Sequence, residues 1–365
     1  MHIKSTLKKC KFFFKRKVKN SSRIFEYNVI WFLVVKKENK IGIGECNPLL
    51  DQFAFYDLRN YEKELQFLSE KINFLKKTES YYYSQFISYS SIFFGLEQVF
   101  LSLKNKFPIL YNSDFTNGKL GLPINSLIWL DSSKESETKL LFKKIEKEIF
   151  KGFSFIKMKI DSKSFDHKYS LLKEIKKKYP NVKIRVDANG TFISKENALY
   201  CINKLFDLDI VHYIEQPILS GNWNEMSFLC KNSKLPVALD EELVTVFNLE
   251  LKKKLLDIIR PHYIVIKPNI CGGFVGTKEW ISEAEKRKIG YCISSSLESN
   301  IGINAISQWT FNIFFRKKNH YSIVHGLNTG YFYINNFDSP LKVEKGYIWY
   351  DPLRKWKIKN LIQMI

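Results

Sequence analysis

The stretch Phe155-Ile156-Lys157-Met158-Lys159-Ile160 alternates apolar and cationic residues with a period of two, the pattern of a β-strand that turns both lysines to one face. Three apolar runs downstream end in carboxylates: Arg185-Val186-Asp187-Ala188-Asn189, Tyr213-Ile214-Glu215-Gln216-Pro217 and Ala238-Leu239-Asp240-Glu241-Glu242. A further run, Ile264-Val265-Ile266-Lys267-Pro268-Asn269, ends in a lysine. Lys- and Leu-rich stretches with helical spacing lie between them, so strands alternate with helices. Extending this interval both ways predicts strand ends near Trp129, Lys159, Asp187, Glu215, Asp240, Lys267, Ser296 and His325, spaced 25 to 30 residues apart. Eight βα units at that spacing close a barrel, so the fold class is α/β, a (β/α)8-type barrel expected over residues 123–328.

The chain ahead of the barrel has a different pattern. Met1 to Lys19 is basic and strand-like, Asn28 to Val35 and Lys40 to Glu45 predict a hairpin around Lys37-Glu38-Asn39, and Tyr82 to Leu103 carries helical apolar spacing. Residues 1–122 are therefore expected to form an α+β unit. From 329 to 365, strand-like pieces flank a turn at Gly346 without another βα repeat, and this tail is expected to pack back on the first unit.

A formal net charge of +21 raises the question of a polyanion partner, but the cations are dispersed. Runs such as Lys176 to Lys178 and Lys252 to Lys254 fall in helix-like stretches and read as solvated faces, so no specific nucleic acid is expected. The six cysteines, at 10, 46, 201, 230, 271 and 292, form no Cys-x-x-Cys pair, which argues against a zinc or redox motif and for a reduced, cytoplasmic protein. Apolar runs such as Val29 to Val35 fall far short of the roughly 20 residues that span a bilayer, so no membrane insertion is expected.

In such a barrel, functional groups come from the C-terminal strand ends, where the polar residues above fall. Desolvation and mutual repulsion of Lys157 and Lys159 would depress a lysine toward the range of a base. Asp187, Glu215 and Asp240 would repel one another at one barrel mouth unless a hard divalent cation joined them, and oxygen-only ligands favour Mg2+, with Mn2+ as a substitute. Lys267 faces the lysine pair across the barrel as an unpaired-looking cation. Burying so many in-phase charges for stability alone would be costly. The parts fit proton abstraction beside a carboxylate on a small-molecule substrate, with cations stabilising the resulting enediolate.

These motifs resemble the enolase superfamily, whose lysine base and magnesium-bound intermediate are an established pattern, and specifically its muconate-lactonizing branch with its modified TIM barrel and capping domain. Ile41-Gly42-Ile43-Gly44-Glu45-Cys46-Asn47-Pro48-Leu49 is similar to the capping-domain hairpin. Ser21-Ser22-Arg23, Pro123-Ile124-Asn125-Ser126-Leu127-Ile128-Trp129, Leu297-Glu298-Ser299-Asn300-Ile301-Gly302, His325-Gly326-Leu327-Asn328-Thr329-Gly330 and Asn335-Asn336 resemble the o-succinylbenzoate synthases, a dehydratase family of this branch. The resemblance implies that Lys159 is the base and then the acid for the departing hydroxyl, that Lys157 contacts the substrate carboxylate, and that Lys267 is a cationic stabiliser. It implies Asp187, Glu215 and Asp240 as magnesium ligands. Arg185, Asn189, Ser294, Ser295, Ser296, Ser22 and Arg23 are implied near the substrate. Ile24, Ser126 and Asn328 stand where the family pattern has glycine, so loop strain is expected there.

The same catalytic residues would serve N-acylamino acid racemisation or dipeptide epimerisation, with Lys159 and Lys267 as opposed bases. Against dipeptide epimerisation, the chain has no Asp-x-Asp after the eighth strand end. A third reading, an inactive barrel that binds polyanions, predicts loss of a catalytic residue, and all six remain.

Overall fold

The computed structural model describes residues 3–19, 24–49, 57–72, 89–129, 135–315 and 323–363. Three long antiparallel strands open the chain: β1 (Ile3–Lys19), β2 (Ile24–Lys37) and β3 (Lys40–Cys46). The hairpin between β2 and β3 closes at Lys37↔Lys40, and Glu38 takes a left-handed φ of 57° in its two-residue turn. Two helices follow, α1 (Leu58–Lys71) and α2 (Ser90–Asn105). Asp57 caps α1 by accepting the N–H of Arg59 at 2.9 Å. Helix α2 lies on β3 at a glycine-to-glycine contact, where a Cβ at Gly44 would stand 1.8 Å from the carbonyl oxygen of Gly95. Only glycine permits that approach.

After β4 (Leu122–Pro123), the barrel strands run β5 (Ser126–Ile128), β6 (Phe155–Lys159), β7 (Lys183–Asp187), β8 (Val211–Glu215), β9 (Val237–Leu239), β10 (Tyr263–Ile266) and β11 (Gly290–Ile293). They form one parallel sheet in sequence order. Helices α3 (Glu135–Phe150), α4 (Phe165–Lys178), α5 (Lys195–Phe206), α6 (Trp223–Asn232), α7 (Leu249–Ile259), α8 (Gly273–Lys286) and α9 (Asn300–Phe315) make the crossovers. Their apolar faces cover the outward side chains of the strands, among them Ile156, Met158, Ile184, Val186 and Ile214, all buried.

The eighth strand end, expected near His325, is reduced to single parallel bridges, Ile124↔His325 and Ser294↔Gly326. Reciprocal bonds His325 N–H to Pro123 O and Asn125 N–H to His325 O, both 2.9 Å, close the ring there. In place of an eighth helix comes a 3₁₀ turn, Gly330–Phe332, followed by β12 (Leu341–Glu344) and β13 (Tyr347–Tyr350), the latter pairing with β4. The short helix α10 (Lys359–Ile362) ends the described chain. The tail also reaches the first sheet. Tyr333 stacks on Phe14 at 4.9 Å, and Ile334 N–H donates to Phe13 O, where the β1–β2 register shifts between Phe13 and Val18. The fold is thus a modified (β/α)-barrel with an α+β cap.

Two expectations need correction. Lys252 does not lie on a solvated face: it is fully buried, with Nζ donating to Glu279 at 2.6 Å beneath the ring of Trp280. The glycine replacements at 126 and 328 bring no left-handed backbone, since neither residue has a positive φ. The Ser126 hydroxyl instead donates to Glu148 at 2.8 Å. Ser22 and Arg23 lie outside the described residues, as does the side chain at 24.

Candidate active site

Register stacks the inward side chains of the barrel in layers. Lys157, Arg185 and Tyr213 share one level on β6, β7 and β8, and Lys159, Asp187 and Glu215 share the next level toward the C-terminal ends. A cleft of about 210 Å³ opens above them, bordered by Lys157, Lys159, Asp187, Asn189, Asp240 and Lys267. Ser294, Ser295, Ser296, Asn328 and Thr329 form a polar wall, and Leu49, Leu127, Trp129, Ile270 and Leu297 supply apolar surface. Leu49 comes from the chain just after β3, so the first unit helps to close the mouth.

Two lysines are held by carboxylates. Lys157 pairs with Asp187 at 2.9 Å and also donates to Glu215, while Lys267 donates to Asp240. Burial alone would depress Lys157, but Asp187 and Glu215 hold it well above its ordinary value. The depression expected for the lysine pair is therefore absent at Lys157. Lys267 behaves likewise: burial depresses it, but the charges of Asp240, Glu215 and Glu241 together outweigh this, and the net shift is upward. The expectation of an unpaired Lys267 is overturned by that contact. Lys159 alone of the three is lowered, by desolvation first and with repulsion from Lys157 and Lys267 contributing. Its Nζ stands 4.8 Å from the centroid of the Trp129 ring.

Glu215 is fully buried, and among the described residues its Oε2 has no hydrogen-bond partner. Desolvation and the charges of Asp187 and Asp240 push it well above the ordinary carboxylate range. A divalent cation would relieve that imbalance, and an all-oxygen donor set suits a hard ion. Among the described residues, no three carboxylate, His or Cys groups stand ready-made around one point, because the ammonium groups lie between the carboxylates.

The turns beyond these strands are fixed by side chains. Gln216, at a left-handed φ of 41°, accepts the N–H groups of Asp240 at 3.2 Å and Glu242 at 3.3 Å, tying the β8 turn to the β9 turn. Asn189, at φ 44°, donates to Glu241 at 2.9 Å and, through its backbone N–H, to Asp187 at 3.1 Å. Ser295 Oγ shares a 2.8 Å bond with Thr329 Oγ1, and the buried Ser296 Oγ has no partner among the described residues.

Arg185 does not reach the cleft. It sits one layer lower, between the rings of Phe155 and Tyr213, with Nη1 donating to Asn125 at 2.9 Å and to Val324 O at 2.8 Å. Sequence reasoning also passed over Glu241, which borders the cleft and is pushed up to about 7 by burial and by the charges of Asp240 and Asp187. Its signal was the run of three acids ending β9, of which only Asp240 was singled out.

The capped barrel that carries this cleft is matched by comparison with known proteins. Residues 142–352 match the family described as "Enolase C-terminal domain-like", and the chain belongs to that family. The o-succinylbenzoate synthase of Desulfotalea psychrophila is 40% identical over 238 residues, which are 65% of this chain. The aligned part spans 61% of that relative's length. The crystal structure of MenC from the same organism superposes with a TM-score of 0.74 at 30% identity, covering 95% of this chain and 99% of that one. An L-amino acid-D/L-Glu epimerase of Sulfurimonas denitrificans is 28% identical over 46% of this chain and 48% of its own. The expected likeness to the synthases is thus met, with the epimerases more distant.

Proposed function

We propose that the chain is an o-succinylbenzoate synthase, a lyase that removes water from 2-succinyl-6-hydroxy-2,4-cyclohexadiene-1-carboxylate to give 2-succinylbenzoate in menaquinone biosynthesis. The observation that carries this reading is the convergence of Lys157, Lys159 and Lys267 on one cleft with Asp187 and Asp240, in a chain 40% identical over 238 residues to an o-succinylbenzoate synthase. Lys157 and Lys267 are kept as cations, and Lys159 is lowered toward the neutral amine that a base requires.

The neutral amine of Lys159 takes the proton from the ring carbon that bears the carboxylate. The electron pair left behind moves into that carboxylate, and the ammonium groups of Lys157 and Lys267 oppose the new charge in a site shielded from water. Lys159, now protonated, returns the proton to the hydroxyl on the neighbouring carbon as the C–O bond breaks. One water leaves and the ring becomes aromatic. Asp187, Glu215 and Asp240 would hold Mg2+, or Mn2+ in its place, which supplies Lewis-acid charge to the carboxylate oxygens. The ammonium groups of Lys157 and Lys267 would then turn from these carboxylates to the substrate. Asn189 and Ser294 to Ser296 would border the bound substrate, and Arg185 would stand beside Lys157, one layer below Asp187.

Epimerisation would use Lys267 as a second base on the opposite face of the substrate, whereas dehydration needs only Lys159. The test is spectrophotometric: purified protein should remove the cyclohexadiene absorbance when Mg2+ is present and lose that ability with a chelator. Racemisation of N-succinylamino acids without any dehydration would replace this reading with the racemase one.

A further inference from the structure

We propose that Trp129 is a positioning residue for Lys159, its indole face being the seat on which the ε-amino group rests while it takes up and returns the proton. The inference rests on the reading of Lys159 as the base. Strands β5 and β6 run parallel in the register Leu127↔Lys157 and Ile128↔Met158. The next residue along each, Trp129 and Lys159, therefore stand side by side at one level of the barrel mouth. Both border the cleft, and Nζ lies 4.8 Å from the indole centroid.

The seat is braced. Phe332, from the turn that replaces the eighth helix, meets the indole edge-on at 6.1 Å. Phe332 lies 4.4 Å from the ring of Tyr331, whose hydroxyl donates to Leu127 O at 3.0 Å, on the strand that carries Trp129. Phe332 thus braces the indole, and Tyr331 ties the turn that carries Phe332 to the strand. Rotation of Trp129 would break its contact with Phe332.

The chemistry suits a group that cycles between two charge states. An indole face attracts an ammonium through its quadrupole and accepts no proton from it. A carboxylate in the same place would favour the charged form throughout. The ring carries the neutral amine by contact and the ammonium by electrostatics, so the nitrogen keeps one position on both sides of the proton transfer. Misplacing a base by about 1 Å is enough to slow its reaction about a hundredfold.

The alternative is that Trp129 is only an apolar wall for the substrate ring, and substitutions separate the two. Phenylalanine keeps a π face, whereas leucine and methionine keep apolar bulk without one. With Mg2+ present, Trp129→Phe should retain kcat within about threefold, while Trp129→Leu and Trp129→Met should lose about tenfold or more in kcat with KM little changed. A raised KM with kcat intact, or equal loss in all three variants, overturns the proposal. A substrate-free readout guards against failure of the functional reading. Reductive methylation followed by peptide mass spectrometry should modify Lys159 several-fold faster in Trp129→Leu than in the wild type or Trp129→Phe. Equal rates in all three overturn the seat whatever reaction the protein catalyses.

Discussion

Lys157 and Asp187 form a buried ion pair, 2.9 Å apart, on neighbouring strands of the barrel. The same ammonium contacts Glu215, so one lysine balances two of the three carboxylates proposed to bind metal. Substituting Lys157 by methionine leaves those carboxylates buried without a counter-charge, at a cost on the order of 3–5 kcal/mol. Added Mg2+ should restore much of this, so the thermal midpoint of Lys157→Met should rise more steeply with Mg2+ than that of the wild type. Parallel titrations by scanning fluorimetry would show it, and identical slopes would mean that metal and ammonium do not share those carboxylates.

Asp240 is held both by Lys267 and by Gln216, through its backbone N–H. Asp240→Asn removes one anionic oxygen donor and keeps the shape. Half-maximal activity should then require at least about tenfold more Mg2+, in line with the loss of a charged ligand from a hard-cation site. An unchanged Mg2+ titration would remove Asp240 from the ligand set.

His325 closes the barrel and is fully buried, with Nδ1 accepting the N–H of Ile293 at 3.2 Å. Burial first, and then the charge of Arg185, lower it to about 3, against about 6.5 when unfolded. A depressed value means that the unfolded chain binds the proton first, so stability is present above about pH 6.5 and is lost as pH falls toward 3. The slope from this group approaches about 1.4 kcal/mol per pH unit. His325→Gln should flatten the acid limb of urea midpoints measured between pH 7 and pH 5. His212, lowered to about 4 by burial and by Arg185, adds to the wild-type slope and should remain in the variant.

Gly44→Ala would place a methyl group 1.8 Å from Gly95 O and force β3 away from α2. The expected destabilisation is at least about 1–3 kcal/mol, the range for overpacking a tight contact. Because Glu45 on the same strand accepts the N–H groups of Ser299 at 2.9 Å and Gly302 at 2.8 Å at the start of α9, activity should fall along with stability. Denaturant unfolding and turnover measured on the same preparation would check both.

The barrel was legible because each strand is a short run rich in apolar residues, with a charge at its end that stands out and a spacing that counts units. Lys159, Asp187, Glu215 and Asp240 are conspicuous for that reason, and each lies at or just past the end of its strand. A period of two gives the face of a residue but not its depth, which is why Arg185 was assigned to the cleft although it lies a layer below Asp187. The pairing of Lys267 with Asp240 and of Lys159 with Trp129 depends on contacts between strands, which the spacing along one strand does not contain. Lys252 is different. Positions 252, 255, 256 and 259 form the buried stripe of α7, so the periodicity already marked it as inward-facing despite its charge.

The most direct test of the central claim compares the wild type with Lys159→Ala on 2-succinyl-6-hydroxy-2,4-cyclohexadiene-1-carboxylate at saturating Mg2+, with circular dichroism confirming that both are folded. The account predicts loss of the cyclohexadiene absorbance with the wild type and a rate at least about 10²- to 10⁴-fold lower for the variant, the contribution expected of a general base. Turnover by Lys159→Ala within a few-fold of the wild type would contradict it.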